Sequence, residues 1–192
     1  MSKLIQWNML SLDGYFEGAQ SWDVEWFQGF FNEELEKFSL EQLRQADALL
    51  FGRVTYEGMA AYWQTATGEV ARFMNSLPKV VISTTLERAD WTNTRLVKGG
   101  VVGEVTTMKQ RGSGSIFVFG SAKLCATLFE ARLFDEVRVA LLPVVVGKGS
   151  TLFGRDLSRA QMKLLEARPL SNGGVILRYE PQRTASTHPV SS

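Results

Sequence analysis

The amino-acid sequence predicts an α/β fold with a central, mostly parallel sheet, helices on both faces and an antiparallel hairpin at the C-terminal end. Two observations support this prediction. Short apolar runs alternate with longer segments of helical periodicity along most of the chain, which is typical of a parallel sheet covered by helices. Near the C-terminus, two strand patterns are joined through Asn-Gly-Gly at 172–174, a strong hairpin signal.

The elements follow in order. Residues 3–10 form an apolar run and are predicted as the first strand, followed by a turn at Leu-Asp-Gly, 12–14. A helix that runs to about Gln45 is predicted next, because Leu35, Phe38 and Leu43 can lie on one side of it. The remaining helices have the same periodicity and are predicted at 55–62, 69–75, 102–111 and 121–131. The remaining strands are apolar runs bounded by glycine, proline or turn residues, predicted at 48–51, 79–83, 94–97, 115–119, 136–145, 162–168 and 175–179.

The composition limits the class of protein. A chain of 192 residues corresponds to roughly one domain, expected to cover 1–181 with a disordered tail at 182–192. The formal net charge of +1 excludes the strongly basic surface of a nucleic-acid binder or a polybasic membrane patch. No apolar run approaches the roughly 20 residues that span a bilayer, and the first residues resemble a strand more than a signal peptide. We therefore expect a cytoplasmic protein.

The single cysteine and the single histidine exclude several kinds of site. Cys125 cannot form an internal disulfide, and we expect it to be a small buried hydrophobe. His188 lies in the polar tail, so neither a Ser-His-Asp nor a Cys-His site can be assembled. A zinc site usually needs several cysteine or histidine ligands, and we expect no metal.

Three of the predicted strands end in residues that could bind phosphate. In a parallel sheet, ligands bind beyond the carboxyl ends of the strands, where the strand order reverses. One strand ends at Gly52, where the lack of a side chain lets a ligand approach the backbone. Arg53 adds a bidentate donor, and Thr55 can cap the helix that follows. The alternative is a capped helix with a surface arginine.

Two further strand ends have a similar character. Three hydroxyl side chains, Ser83, Thr84 and Thr85, could hydrogen-bond a phosphate or a ribose, or form a polar turn. Gly-Ser-Ala at 120–122 places small residues where a strand turns into a helix, which allows close approach of a ligand to the backbone. Neither a Gly-x-Gly-x-x-Gly fingerprint nor a P-loop is present. Together, the three strand ends favour a nucleotide-binding protein.

The same segments carry a resemblance to a known family. Residues 51–57, Phe-Gly-Arg-Val-Thr-Tyr-Glu, are similar to the Gly-Arg-x-Thr-Tyr/Trp-Glu segment of dihydrofolate reductases. Residues 11–14 resemble the first-strand motif of the reductase domain of bacterial riboflavin biosynthesis. Residues 143–153 resemble its Pro-x-x-x-Gly-x-Gly-x-x-Leu-Phe block, and 132–136 its Gly-Leu-Val-Asp-Glu. These motifs occur in the expected order over about 3–180.

The resemblance implies a dihydrofolate-reductase-like fold, an NADPH cofactor and reduction of a small pyrimidine- or pterin-like heterocycle, as in 5-amino-6-(5-phosphoribosylamino)uracil reductase. The residues that it implies for cofactor binding are Gly52, Arg53, Thr55, Ser83, Thr84, Thr85, Gly120, Ser121, Ala122, Lys123 and Leu124. It implies that Asn8, Met9 and Leu10 line the floor beneath the nicotinamide.

Two departures from the family pattern concern the cofactor. Ser121 stands where dihydrofolate reductases usually have the second glycine of Gly-Gly. Thr84 stands where many relatives carry a basic residue, which leaves the choice between NADPH and NADH open unless Arg88 compensates.

Reduction of such a substrate also needs a proton, which a carboxylate or water must supply in the absence of a usable histidine. Asp13 is the expected catalytic residue, with an ordinary turn aspartate as the alternative.

Dihydrofolate reductase activity is a second hypothesis, and it predicts that an acid of the first helix (Glu33, Glu34 or Glu36) faces the cleft. Two further hypotheses are that the protein binds a nucleotide without turnover, and that it is a regulatory or oligomerisation module. A homodimer is expected, with the apolar strand at 137–146 as a possible edge.

Overall fold

The computed structural model describes residues 1–153 and 157–182, so the tail at 183–192, with His188, lies outside the described residues. The strands are β1 (Lys3–Ser11), β2 (Tyr15–Glu17), β3 (Ala46–Gly52), β4 (Lys79–Ile82), β5 (Thr94–Val97), β6 (Ser115–Phe119), β7 (Glu136–Leu142), β8 (Ser150–Thr151), β9 (Met162–Pro169) and β10 (Val175–Pro181). The helices are α1 (Glu33–Leu43), α2 (Arg53–Trp63), α3 (Glu69–Ser76), α4 (Val101–Arg111) and α5 (Ala122–Glu130), and a 3-10 helix covers Glu25–Phe30.

The eight-stranded sheet has the order β5-β4-β3-β6-β1-β7-β10-β9. The six strands from β5 to β7 are parallel, and β10 runs antiparallel to both β7 and β9. The predicted fold class is therefore confirmed, including the antiparallel hairpin at the C-terminal end. Two features that the sequence analysis did not predict are the 3-10 helix and a small sheet formed by β2 and β8.

The helices lie on both faces of the sheet because the chain crosses it in two directions. From β1 through β3 to β4 the chain moves one way, and α1, α2 and α3 pack on the first face with buried side chains such as Leu35, Tyr56 and Met74. From β5 through β6 to β7 it moves back, and α4 and α5 pack on the second face with Val105 and Leu128. Right-handed crossovers in opposite directions place helices on opposite faces.

The position of β7 corrects one expectation. The apolar strand at 137–146 was a possible dimer edge, but β7 pairs with β1 on one side and β10 on the other. Its backbone groups are therefore used within the sheet, and β9 forms that edge. The homodimer stays a prediction. Among residues 1–153 and 157–182, no helix combines the length and apolar character that crossing a bilayer requires.

Candidate functional site

The direction in which the chain crosses the sheet reverses between β3 and β6, and we refer to the region beyond the carboxyl ends of these two strands as the crevice. These neighbouring strands are parallel, but the helices that follow them leave to opposite faces, which is the topology that creates ligand sites in α/β sheets. Helix α2 begins at Arg53 and α5 begins at Ala122, so two helix N-termini meet at this crevice. The first-turn N–H groups of a helix have no intrahelical acceptor and form the positive end of its dipole. The first and third predicted phosphate segments are thus brought together.

Hydroxyl groups connect the two sides of the crevice. The backbone N–H of Gly52 donates to the Oγ of Ser121 over 2.9 Å. That Oγ donates in turn to Thr55 Oγ1 over 2.9 Å, and the Ser121 N–H donates to the same Thr55 oxygen over 3.0 Å. We refer to Gly52, Thr55 and Ser121 as the crevice bridge.

Gly120 lies beside the crevice bridge in a conformation that favours glycine. Its φ is +50°, and a Cβ atom there would lie 2.9 Å from Thr55 Oγ1. With its amide oriented to satisfy the hydrogen bonds around it, Asn8 accepts from the Gly120 N–H over 3.1 Å. The Sγ of Cys125 donates to the Gly120 carbonyl over 3.2 Å. The thiol is buried, as expected, and burial raises its pKa far above the ordinary value, so Cys125 is chemically inert here.

The predicted floor residues do not share one surface. Side chains alternate along a strand, and Asn8 and Leu10 point to the opposite face from Met9. Met9 packs against the core beneath α1 to α3, whereas Leu10 packs with Val139 in a separate cluster. The buried amide of Asn8 is the floor side chain that the structure places against the crevice.

The hydroxyl segment follows β4, next to β3 in the sheet. Ser83 is buried, and its Oγ accepts from the N–H groups of Thr85 over 3.2 Å and Leu86 over 2.9 Å. Its hydroxyl therefore closes the turn itself, while Thr84 and Thr85 are exposed. The alternative of a polar turn describes Ser83 and Thr85, whose hydroxyls are 3.3 Å apart and share a hydrogen bond. Thr84 is exposed and accessible to a ligand.

Cations near these strand ends differ in their partners. Arg53 pairs with Glu57 over 3.0 Å on an exposed surface. Arg88, the residue expected to compensate for Thr84, is 80% exposed and pairs with Asp90 over 2.8 Å. We refer to residues 83–86, the turn that Ser83 closes, as the hydroxyl turn. Lys98, which the sequence analysis did not single out, follows β5, and its Nζ donates to the Leu86 carbonyl of this turn. A lysine directly after a predicted strand end was the sequence signal that could have identified Lys98 as a candidate ligand-binding cation.

Asp13 holds two loops together. Its carboxylate accepts from the Ser11 hydroxyl over 2.7 Å and from the N–H groups of Gly147 over 2.8 Å and Val146 over 3.1 Å. The Ser11 hydrogen bond contributes most to lowering the pKa of Asp13. Desolvation, the next-largest effect, opposes it, and the two backbone amides add to the lowering. The side chain is therefore a carboxylate at neutral pH and joins the end of β1 to the glycine loop at 143–149.

The acidic residues of α1 lie on its exposed surface. Glu33, Glu34 and Glu36 are all exposed, and Glu34 accepts from the backbone N–H of Ser171 over 2.7 Å. The buried positions in the same turns are apolar, with Leu35 fully buried. The dihydrofolate hypothesis, which requires one of these acids to face the substrate, stays a prediction.

Two surface cavities lie away from the crevice. One, of about 680 Å³, is lined by residues around the starts of β4 and β5, including Trp91 and Arg95. The other, of about 850 Å³, surrounds the start of α3 near Gly68. Both contain none of the predicted site residues. In the described part of the chain, no group of His, Cys, Asp and Glu is arranged to hold a metal ion.

Comparison with known proteins agrees with this architecture. The family model of the RibD C-terminal domain matches residues 2–176. The uncharacterized protein YyaP of Bacillus subtilis (strain 168) is 27% identical over 180 residues, covering 88% of this chain and 90% of YyaP. A crystal structure of a protein assigned to riboflavin biosynthesis, from Shewanella sp. PV-4, is similar with a TM-score of 0.79 and 20% identity, covering 94% of this chain and 99% of that one.

A second solved structure tests the predicted fold family. Dihydrofolate reductase from Enterococcus faecalis, complexed with NADP(H), is similar with a TM-score of 0.65 and 13% identity, covering 94% of this chain and 96% of that one. At this level of identity the likeness shows the fold, and the dihydrofolate-reductase-like architecture is confirmed.

Proposed function

Since the chain belongs to the RibD C-terminal domain family, we propose that it is an NADPH-dependent reductase of a small pyrimidine- or pterin-like heterocycle, of the riboflavin-pathway type. One observation carries the proposal: the N-termini of α2 and α5 converge on the β3–β6 crevice, where the crevice bridge joins them. Two helix N-termini offer several free N–H groups to one anionic ligand, which fits the pyrophosphate of a dinucleotide.

The residues around the crevice fit such a cofactor. The first-turn N–H groups of α2 and α5 would hold the pyrophosphate, with Arg53 and Lys123 as exposed cations beside it. Gly120 would let this end of β6 lie against Thr55 beside the cofactor, because a side chain there would press on Thr55. Thr84 and Thr85 would face the adenosine end. The cofactor, when bound, supplies the hydride, and the chain positions it against the substrate and excludes water.

We propose that Asp13 serves this reaction as a positioning residue. Three donors surround its carboxylate, and its lowered pKa keeps it ionised at neutral pH. A carboxylate that is ionised at neutral pH carries no proton to donate to a substrate. Asp13 would instead hold the glycine loop at 143–149 beside the end of β1, next to the substrate.

A titration with NADPH and, separately, with NADH tests the cofactor assignment. Quenching of the five tryptophans would report binding, and mixing the complex with heterocyclic acceptors would report turnover as loss of NADPH absorbance. We expect saturable NADPH binding and oxidation by an acceptor. Binding without oxidation by any acceptor would support the nucleotide-binding reading, and a folded sample that binds neither nucleotide would refute the proposal.

Lys98 is expected to favour NADPH over NADH. It is the cation that the structure places on the hydroxyl turn through Leu86, whereas Arg88 is engaged by Asp90. Lys98→Gln should weaken NADPH binding about five- to tenfold, the equivalent of about 1–1.4 kcal/mol, and leave NADH binding unchanged. Arg88→Gln is the matched control, with little expected effect on either nucleotide. A loss of preference in Arg88→Gln but not in Lys98→Gln would assign the 2′-phosphate to Arg88 instead.

A further inference from the structure

We propose that the hydroxyls of Ser121 and Thr55 set the width of the β3–β6 crevice and thereby the affinity for the cofactor, acting through the backbone rather than touching the cofactor. This inference rests on the proposed function. It assigns the side chains of Ser121 and Thr55 a positioning role in place of the direct contact that the family resemblance implies.

The crevice bridge lies where backbone pairing between the two strands has stopped. The register of β3 with β6 ends at Leu50 opposite Val118. Beyond that pair the chains separate toward helices on opposite faces. The bonds from Gly52 to Ser121 and from Ser121 to Thr55 cross this gap between segments 66 to 69 residues apart in sequence. Side-chain hydrogen bonds therefore join the two segments here, as backbone hydrogen bonds do along the paired part of β3 and β6.

The bonding capacity of the Ser121 hydroxyl is largely committed within the protein. Its oxygen accepts from the Gly52 N–H, and its single proton is donated to Thr55. Gly52 thus has its N–H satisfied without a ligand. The N–H groups that remain for an anion are those of the first turns of α2 and α5, whose separation depends on the crevice bridge.

The backbone of Ser121 supports the same conclusion. Ser121 has φ 59° and ψ 49°, a left-handed conformation that costs energy for a residue with a Cβ atom and suits glycine. Gly120, before it, also has a positive φ and is held from the other side by Asn8. Glycine at 121 would relax the backbone and remove the two bonds of the Ser121 hydroxyl, leaving the bond from the N–H of residue 121 to Thr55 Oγ1. Serine therefore retains the hydroxyl bonds at the expense of local strain.

Four variants separate the hydroxyl from the backbone conformation. Ser121→Ala removes the hydroxyl and keeps the strain, Ser121→Gly removes both, and Thr55→Val removes the acceptor. Thr55→Ser restores a hydroxyl at the same place. The control is Thr127→Val, which removes an exposed α5 hydroxyl that donates to the Lys123 carbonyl one turn earlier.

The first measurement is amide hydrogen exchange in the free protein. Exchange at Gly52 should accelerate at least tenfold in both Ser121 variants, and exchange at Ser121 should accelerate in Thr55→Val. The second is NADPH binding by tryptophan quenching, with kcat and KM where an acceptor is found. We expect a five- to tenfold weaker Kd and a raised KM in Ser121→Ala, Ser121→Gly and Thr55→Val, with values within twofold of wild type in Thr55→Ser and Thr127→Val.

The outcomes distinguish this inference from the proposed function. If the wild-type protein binds NADPH and Ser121→Ala and Thr55→Val bind it equally well, the inference is wrong and the cofactor assignment stands. If the wild-type protein binds no nucleotide, both fail. A loss of affinity in Thr55→Val that Thr55→Ser does not restore would attribute the effect to packing and would also overturn the role of the hydroxyl.

Discussion

Replacing Glu136 with glutamine is expected to lower the free energy of unfolding at pH 7 by about 3–5 kcal/mol. Glu136 is 3% exposed. Its carboxylate accepts from Arg138 Nε over 2.8 Å and from Arg178 Nε over 2.6 Å. Glutamine has nearly the same shape but no charge, and it would leave the buried Arg138 guanidinium without a carboxylate. Urea unfolding of the two proteins measures the difference.

This ion pair is part of a network that attaches the C-terminal hairpin to the rest of the sheet. Arg178 on β10 also pairs with Glu166 on β9 over 2.9 Å. Arg138 on β7 donates to Gln42 of α1 over 3.2 Å. Glu136 lies between the two arginines, so its replacement is expected to weaken the contacts that connect β7, β9, β10 and α1. Removing one partner of a buried, hydrogen-bonded ion pair costs far more than removing one partner of an exposed pair, because it leaves an uncompensated buried charge.

The pH dependence of the Glu136→Gln effect provides an independent check. Burial by itself raises the pKa of Glu136, but the hydrogen bonds from Arg138 and Arg178 outweigh it and leave the pKa below the ordinary value. A carboxylate with a lowered pKa in the folded state stabilises the fold above its unfolded pKa, about 4.3, and this contribution is lost as the pH falls through the folded value. The cost of Glu136→Gln should therefore shrink between pH 5 and pH 3.

The matched control is Glu69→Gln. Glu69 pairs with Arg44 over 2.9 Å, but both side chains are exposed, and we expect a change below about 0.5 kcal/mol. Equal effects of the two substitutions, or a Glu136→Gln cost that does not vary with pH, would contradict the account of the buried network.

The sequence was sufficient to predict the strand ends at which the site is built. Glycine and hydroxyl residues directly after apolar runs identify the carboxyl ends of parallel strands, and Gly52, Ser83 and Gly120 all lie there. These are local signals, in which a few neighbouring residues determine both the end of a strand and the start of the next helix. The hairpin turn at 172–174 was predictable for the same reason.

The pairing of distant residues was not predictable. No local pattern shows that β6 inserts between β1 and β3, and the Ser121–Thr55 contact depends on that insertion. The sequence also did not indicate which charged residues are buried. Glu136 and Arg138 alternate with valine, as polar residues do in a half-exposed strand, yet both are buried. Lys79, at the start of β4, resembles an ordinary surface lysine in the sequence but is 1% exposed.

Lys79→Met is therefore expected to cost about 2–3 kcal/mol of unfolding free energy at pH 7, although it replaces a buried charge with an apolar side chain. The Lys79 ammonium donates to the carbonyls of Met74 over 2.9 Å, Asn75 over 3.0 Å and Leu77 over 2.7 Å. These carbonyls end α3 and lack intrahelical partners. Methionine fills the space but leaves them unsatisfied, at roughly 1–3 kcal/mol for a buried group. It also removes the contact of Nζ with the Trp91 ring, 4.7 Å from its centroid.

The cost of Lys79→Met should rise with pH, as that of Glu136→Gln does, but in an alkaline rather than an acidic range. Burial lowers the pKa of Lys79 to about 8, whereas an unfolded lysine has a pKa of about 10.4. The penalty for burying the ammonium is present in full below pH 8 and fades as the pH rises toward the unfolded value. The neutral amine still has two N–H donors for the same carbonyls. Wild type should therefore gain stability relative to Lys79→Met between pH 8 and pH 10.

Unfolding of both proteins in urea at pH 7, 8, 9 and 10 measures this widening gap. Lys163→Met, on the exposed edge strand β9, is the control and should show a small difference at every pH. A cost for Lys79→Met that stays constant from pH 7 to pH 10 would mean that the three carbonyls stabilise the ammonium enough to cancel the effect of burial on its pKa. A cost near zero at pH 7 would mean that α3 ends as well without its lysine, and that desolvation of the charge offsets all three hydrogen bonds.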